Sequence, residues 1–288
     1  MQSKLFSTNK TLNLQGKLVD LSVPKVMGIL NVTPDSFYGG SRFAEPLAIL
    51  RQVEKMIAEG ADFIDVGGYS SRPNATDVSE VEELERVLPA IQSIQKEFPN
   101  AIISIDTFRA EVAKQAVLNG ASMINDISAG ELDIKMLETV ATLKVPYIAM
   151  HLRGTPQTMN QLTTYENLIK DITDCFHKKI NQLHNLGIRD VVIDPGFGFA
   201  KTVDQNFELL NHLDYFQLLG KPLLVGLSRK SMIWRTLKTT PENALNGTTA
   251  LHAVALMKGA SILRVHDVKE AVETIRLLQR SEVPLGQG

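Results

Sequence analysis

Three acidic or amide side chains stand directly after short apolar runs of this 288-residue chain. Asp106 follows IISI, Asn125 follows SMI, and Asp194 follows VVI. A carboxylate offers paired acceptors, and a carboxamide adds two donors. Such a set can bind the edge of a flat heterocycle that carries amino and ring N–H groups. The pattern therefore predicts a site for a guanine-like or pterin-like ring.

The same three residues also have a purely structural interpretation. Asp and Asn accept hydrogen bonds from the free N–H groups at helix starts. Asn125, with Asp126 beside it, fits that alternative. Asp194 fits it less well, because Pro195 and Gly196 follow it.

The segment 194–201, DPGFGFAK, combines glycine with aromatic residues. Gly196 and Gly198 allow the backbone to approach a ligand closely, and Phe197 and Phe199 offer faces for a flat ring. Aromatic residues beside glycine also fill cores, and we expect one of the two phenylalanines to do so.

Basic and hydroxyl groups gather late in the sequence, at Ser228, Arg229, Lys230, Ser231, Arg264 and His266. Such groups bind phosphate oxygens, so an anionic leaving group would fit among them. The alternative is a set of structural salt bridges, which suits Arg229 best. His266 has a structural alternative too, because a lone histidine is weak evidence for a site. His151, which follows YIAM, either lines the floor of the site or packs beneath it.

Two connections, 31–45 and 67–77, are long and rich in turn formers, which is typical of binding loops. The second contains Ser70, Ser71, Arg72 and Pro73, whose hydroxyl and guanidinium groups could reach phosphate oxygens. Asn31 opens the first and is a possible oxygen ligand for Mg²⁺. The sequence shows neither zinc-ligand spacing nor a nucleophile elbow.

Eight short apolar runs position these residues, separated by helix-sized gaps. The runs lead to Asn31, Gly67, Asp106, Asn125, His151, Asp194, Ser228 and His266. Repeated βα units of this number predict a closed (β/α)₈ TIM barrel, in which all carboxyl ends of the strands share one face. An alternating segment at about 11–21 predicts an N-terminal β-hairpin that could plug the opposite mouth.

The intervening segments have helical periodicity, at Pro46–Glu59, Val78–Lys96, Ala110–Asn119, Ile134–Leu143, Tyr165–Asn185, Asp204–Leu219, Pro241–Lys258 and Val268–Arg280. Glycines follow five of them, which is typical of helix C-termini: Gly60, Gly120, Gly187, Gly220 and Gly259.

Length and composition favour one domain over 1–288, with a frayed tail at about 281–288. Thirty basic and 32 acidic residues give a net charge of -2, which argues against attraction to nucleic acid or anionic lipid. Cys175 has no partner for a disulfide, and the first twenty residues lack the apolar core of a signal peptide. We therefore expect a cytoplasmic protein without membrane attachment.

The motifs NVTPDSF, DVGGYSSRPNA, SIDT, NDI, DPGFGF, GLSRKS and RVHDV resemble those of the dihydropteroate synthase family. The resemblance spans Thr11 to Leu278 in order and with natural spacing. It implies a TIM barrel and a transferase that condenses (7,8-dihydropterin-6-yl)methyl diphosphate with 4-aminobenzoate. The products would be 7,8-dihydropteroate and pyrophosphate, in folate biosynthesis. It also implies Mg²⁺ and a homodimer.

Residue roles carried over from the family follow the same motifs. The pterin site would comprise Asp106, Asn125, Asp194 and Lys230. The diphosphate site would comprise Asn31, Ser71, Arg264 and His266, with Mg²⁺ at Asn31. The 4-aminobenzoate site would comprise Pro73, Phe199 and Ser231. Asp106, Lys230, Arg264 and His266 would take part in catalysis.

Three positions depart from the family pattern. Tyr69 stands where the family usually has an acidic residue, Ser71 where it has threonine, and Ala200 where glycine is common. Two other functions compete with the synthase: a methyltetrahydrofolate methyltransferase-like barrel and a catalytically silent pterin-binding paralogue. The first has no use for a diphosphate cluster, and the second would depend on a loop broken at Tyr69.

Overall fold

The computed structural model describes residues 10–14, 16–32, 44–69 and 78–281. Eight parallel strands close into a barrel in the order β10-β3-β4-β5-β6-β7-β8-β9. They are β3 (Lys25–Asn31), β4 (Phe63–Gly67), β5 (Ile103–Asp106), β6 (Met123–Asp126), β7 (Tyr147–Met150), β8 (Val191–Asp194), β9 (Leu223–Val225) and β10 (Ala260–Val265). The predicted (β/α)₈ barrel is confirmed, and each strand overlaps one of the predicted apolar runs.

An antiparallel hairpin, β1 (Thr11–Leu14) and β2 (Lys17–Asp20), precedes the barrel. Its buried residues Leu12 and Leu14 pack in one cluster with Met27, Phe63 and Met123. Phe63 and Met123 are the first residues of their strands. The hairpin therefore closes the N-terminal mouth of the barrel, as the alternating segment predicted.

Within the described residues, nine α-helices surround the strands. They are α1 (Ala44–Glu59), α2 (Glu80–Glu97), α3 (Ala110–Leu118), α4 (Met136–Leu143), α5 (Leu168–Asn185), α6 (Val203–Asn211), α7 (Ser231–Thr236), α8 (Leu245–Met257) and α9 (Val268–Arg280). No helix in these ranges has the length and apolar character needed to cross a membrane.

The helix predicted over Asp204–Leu219 is divided. Helix α6 ends at Asn211, and Leu213–Leu219 forms a 3₁₀-helix. Leu213 and Phe216 are both buried, and residues three apart align on one side of a 3₁₀-helix, so this tighter turn keeps the apolar face inward. Helix α8 begins at Leu245 and not at the predicted Pro241, because the residues around Pro241 form turns. The sequence did not predict α7 as a separate helix.

The five glycines predicted to follow helices all have positive φ, from 65° at Gly220 to 119° at Gly120. These backbone conformations suit glycine and confirm those helix ends.

Candidate active site

The carboxyl ends of β3 to β10 surround a space that we call the crater. Strand pairing sets Asn31 beside Gly67, Gly67 beside Asp106, and Asp106 beside Asn125. Asp194 pairs with Met150 farther around the barrel. The register therefore brings residues from distant parts of the sequence to the same level of one face.

Arg264 on β10 contacts acidic side chains of β4 and β5. Its Nε donates to Asp65 Oδ2 at 2.6 Å, and its Nη2 forms an ion pair with Asp106 Oδ2. Asp65 Oδ2 also accepts from Asn125 Nδ2 at 3.0 Å. One buried network thus joins a cation predicted to bind phosphate to two residues predicted to bind the pterin edge.

The network contains two carboxylates, those of Asp65 and Asp106, but only the one guanidinium of Arg264. Burial raises the pKa of Asp106 to about 7; Arg264 opposes that rise, and the negative charge of Asp65 adds to it. Burial disfavours the charged form of Arg264, but Asp65 and Asp106 outweigh that effect and raise its pKa. Arg264 is therefore a permanent cation, whereas Asp106 changes charge near neutral pH.

The sequence interpretation missed Asp65, which is completely buried. Its Oδ1 has no hydrogen-bond partner among the described residues. The signal was present, since a lone acid at the middle of the strand FIDVG has to face either the core or the barrel interior.

Neither Asn125 nor Asp126 caps a helix, because the next helix, α4, begins only at Met136. Asp126 accepts hydrogen bonds from Ser128 N, Gly130 N and the Tyr147 hydroxyl. It stabilises the turn after β6. Asn125 points the other way, to Asp65.

Asp194 is buried at the end of β8, and its Oδ1 accepts from Gly196 N at 2.8 Å. Burial raises its pKa, whereas this hydrogen bond and the nearby Lys230 lower it. Gly226 has no side chain to fill the space between Asp194 and Arg264: a Cβ there would lie 3.8 Å from Asp194 Oδ2 and 4.0 Å from Arg264 Cβ. Asp194 therefore faces the crater beside the cationic side of the site.

The two phenylalanines of segment 194–201 divide as expected. Phe197 packs in the main core. Phe199 belongs to a small cluster with Met150 and Met159, and the Lys230 ammonium lies 4.2 Å from the centre of its ring. Phe199 and Lys230 thus form one cation–π contact at the crater.

Lys201 supports this segment from below, a role that the sequence interpretation missed. Its buried ammonium donates to the carbonyl oxygens of Gly196 and Phe199, each at 3.0 Å, and lies 3.2 Å from His151 Nδ1. Burial lowers the pKa of Lys201 to about 7 and that of His151 to about 2. His151 is therefore neutral and packs beneath the site.

The loops after β9 and β10 are joined by two contacts. Arg229 forms a bidentate ion pair with Asp267, at 2.9 Å from Nε and 2.7 Å from Nη2. This is the structural salt bridge that the sequence offered as the alternative for Arg229. Ser228 Oγ lies 3.0 Å from His266 Nδ1.

His266 does not carry the positive charge that was expected of the basic groups near the diphosphate. Burial, with a smaller contribution from the charge of Arg264, lowers its pKa to about 4. His266 is consequently uncharged at neutral pH, so it contributes a hydrogen bond and no positive charge.

The other predicted residues lie on the rim or outside the described ranges. Asn31 is half-buried at the end of β3, and Ser231 begins α7. Ser71 and Pro73 belong to 70–77, which the structure does not describe. No group of three His, Cys, Asp or Glu side chains in the described ranges could enclose a metal ion.

Comparison with known proteins identifies the family. A model of the family described as pterin binding enzyme matches residues 27–266. The dihydropteroate synthase of Haemophilus influenzae is 42% identical over 278 residues, covering 96% of this chain and 98% of that protein. The chain belongs to the dihydropteroate synthase family.

Solved dihydropteroate synthases share the fold as well as the sequence. The Yersinia pestis enzyme with a sulfonamide drug is 40% identical, with a TM-score of 0.87 over 94% of this chain and 98% of that one. The Xanthomonas albilineans enzyme with 4-aminobenzoic acid is 38% identical, with a TM-score of 0.89 over 96% of this chain and 100% of that one. The family resemblance seen in the sequence is therefore confirmed.

Tyr69, the main departure from the family pattern, is well anchored. Its hydroxyl accepts from Gln157 Nε2 at 2.9 Å, and its ring packs edge-on against Phe108. The Arg109 guanidinium lies 5.3 Å from the ring centre. Aromatic and hydrogen-bond contacts thus fix the chain at the exit of β4.

Proposed function

We propose that this chain condenses (7,8-dihydropterin-6-yl)methyl diphosphate with 4-aminobenzoate to 7,8-dihydropteroate and pyrophosphate. The observation that carries the proposal is the network in which Arg264 joins Asp65, Asp106 and Asn125 at one face of the barrel. It sets hydrogen-bonding groups for a heterocycle edge against a permanent cation. The reaction needs both groups close together, because the pterin ring and the diphosphate belong to one substrate molecule.

The pterin would bind by its edge to Asp106, Asn125 and Asp194, with Lys230 beside it. Carboxylates accept from ring N–H and amino groups, and Asn125 adds donor and acceptor capacity. Lys230 is held over the Phe199 ring, close enough to Asp194 to lower the pKa of that carboxyl. These positions support one flat ring between acidic and basic groups.

The chemical step breaks the bond between the pterin methylene carbon and the diphosphate oxygen and forms a bond from that carbon to the amine nitrogen. Negative charge grows on the leaving oxygen, where Arg264 stabilises it and His266 donates a hydrogen bond. An ionised Asp106 stabilises the positive charge that spreads into the pterin. The amine loses its proton after the C–N bond forms, so no strong base is required.

The second substrate would lie against Phe199 and Ser231; the family resemblance adds Pro73 to this site and Ser71 to the diphosphate site. Phe199 offers an aromatic face for 4-aminobenzoate. The aryl amine would then approach the methylene carbon from the side opposite Arg264. Exclusion of water by the surrounding loops would prevent hydrolysis of the activated pterin.

Mg²⁺ fits the donor set at the rim. This ion takes few protein ligands and completes its shell with phosphate oxygens and water, so the Asn31 carboxamide with a bound diphosphate suffices. When bound, it would neutralise charge on the departing pyrophosphate. We expect EDTA to suppress the condensation and added Mg²⁺ to restore it; full activity in EDTA would exclude the metal.

The decisive test of the function is an assay for pyrophosphate release. We expect release only when the pterin diphosphate and 4-aminobenzoate are both present. Asp194→Ala should abolish pterin diphosphate binding in calorimetry, since that carboxylate faces the ring edge. Binding without turnover in the wild type would instead indicate a catalytically silent paralogue.

Assembly and location are further parts of the proposal. Helix α8 carries no charged residue, and Ala250 and Met257 are exposed on it, which favours a homodimer through this helix. The net charge of -2 and the single cysteine favour a cytoplasmic protein that does not bind nucleic acid. Light scattering during gel filtration would test the dimer, and Met257→Glu should dissociate it.

A further inference from the structure

We propose that Ser228 is a positioning residue that fixes the tautomer of His266, so that the Nε2–H of the imidazole is presented to the diphosphate. The inference rests on the proposed function only for the identity of the anion.

The two residues are neighbours because their strands pair. Strand β10 runs parallel to β9, with Leu263 beside Val225. Ser228 and His266 each lie three residues or fewer beyond the ends of these strands, at Val225 and Val265. The Arg229–Asp267 ion pair links the next residue of each loop, so the two loops are held together on both sides of the contact.

Ser228 Oγ makes two contacts with the same histidine. It accepts from the His266 backbone N–H at 3.2 Å and lies 3.0 Å from His266 Nδ1. A serine hydroxyl has one hydrogen and accepts through its lone pairs. With the backbone N–H already accepted, the hydroxyl hydrogen is best used by donating to Nδ1.

That arrangement decides where the imidazole proton lies. A neutral imidazole carries hydrogen on one nitrogen and a lone pair on the other. If Nδ1 accepts from Ser228, the hydrogen is on Nε2. With the hydrogen on Nδ1 instead, Oγ would accept twice and its own hydrogen would point away from the histidine.

The tautomer matters because a diphosphate has only acceptor oxygens facing its site. An Nε2–H donates to such an oxygen, whereas an Nε2 lone pair repels it. Burial of His266 and the positive charges of Arg264, Arg229 and Lys230 disfavour an imidazolium, although Asp267 opposes this effect. A neutral histidine can therefore assist the anion only in the tautomer that Ser228 selects.

The tautomer can be observed directly by NMR of protein labelled with ¹⁵N-histidine. The chain has six histidines, and His266→Gln identifies the signal of His266. At pH 7 we expect the Nε2–H form in the wild type and a shift toward the Nδ1–H form in Ser228→Ala. An Nδ1–H form or an imidazolium in the wild type would overturn the proposal without reference to any variant.

Affinity for inorganic pyrophosphate gives a second readout, measured by calorimetry. Ser228→Ala should weaken binding about tenfold, in keeping with a misplaced hydrogen bond to a charged group. Ser228→Thr keeps the hydroxyl and should restore both tautomer and affinity. Ser281→Ala, which removes a serine hydroxyl at the end of α9, is the matched control and should change neither.

Unchanged pyrophosphate affinity in Ser228→Ala, or an unchanged tautomer, would contradict the inference. If Ser228→Ala does not fold, the wild-type spectrum and Ser228→Thr still decide it. A protein that shows the tautomer and binds pyrophosphate but fails to condense the two substrates would refute the proposed reaction and leave this inference standing.

Discussion

Arg264 connects the two chemical halves of the crater. Its guanidinium contacts carboxylates on β4 and β5, and Asp65 also holds Asn125. A planar fork with several donors suits this bridging role better than a lysine ammonium would. Because two carboxylates share one cation, the protonation of Asp106 depends on the charge of Asp65.

We predict that Asp65→Asn shifts the pH dependence of the reaction. In the wild type, kcat/KM should fall as pH drops below about 7, because Asp106 takes up a proton there. Asparagine at 65 removes a negative charge that raises the pKa of Asp106, so the fall should move to lower pH. Pyrophosphate release measured between pH 5 and 9 gives both profiles.

Asp214→Asn supplies the control for this experiment. Asp214 forms a surface ion pair with Lys258, far from the crater, and its loss should leave the profile in place. A profile that Asp65→Asn does not move would show that Asp106 is not the group that titrates.

At the scale of elements, the segment after β8 passes very close to the backbone of His151. Gly196 has a φ of 75°, and a Cβ there would lie 2.2 Å from the His151 carbonyl oxygen. Its N–H also donates to Asp194. Lys201 holds the same segment through the carbonyl oxygens of Gly196 and Phe199.

We predict that Gly196→Ala costs more stability than left-handed strain alone. Gly187 has a similar φ of 80° but nothing within 4 Å of its Cβ position, so Gly187→Ala isolates the strain, about 1 to 2 kcal/mol. Gly196→Ala adds a clash with backbone, and it should also lower kcat/KM because Asp194 is displaced. Urea unfolding and the pyrophosphate assay measure the two effects, and equal losses for both variants would contradict the argument.

The sequence correctly predicted those features that a single strand or helix determines. Strand runs, helix-ending glycines and residues at strand ends follow from local patterns, and the barrel then brings Asp106, Asn125 and Arg264 together. The roles of Asp65 and Lys201 depend on neighbours from other strands, which a pattern along the chain does not contain. The protonation of His266 likewise depends on its burial in the folded barrel and on charges such as Arg229 and Lys230 from another loop.

At the scale of the whole molecule, buried histidines make stability depend on pH. His252 on α8 is buried, and its Nε2 has no hydrogen-bond partner among the described residues. Burial lowers its pKa to about 4, although Asp267 opposes that change. A pKa below the unfolded value of about 6.5 means that the stabilising contribution is complete above pH 6.5 and is lost as pH falls toward 4. The raised pKa of Asp106 acts with the opposite sign, since its contribution is present at low pH and lost as pH rises through about 7.

We therefore predict that His252→Leu lessens acid destabilisation. Leucine has a similar volume and no polar atom to bury, so the free energy of unfolding at pH 7 should stay within about 1 kcal/mol of the wild type. Between pH 6.5 and 4.5 the wild type should lose about 2 kcal/mol more than the variant, because unfolding exposes one histidine that then binds a proton. Urea unfolding at several pH values measures this difference. Parallel stability curves would mean that His252 binds a proton in the folded barrel as readily as in the unfolded chain, which its burial makes physically costly.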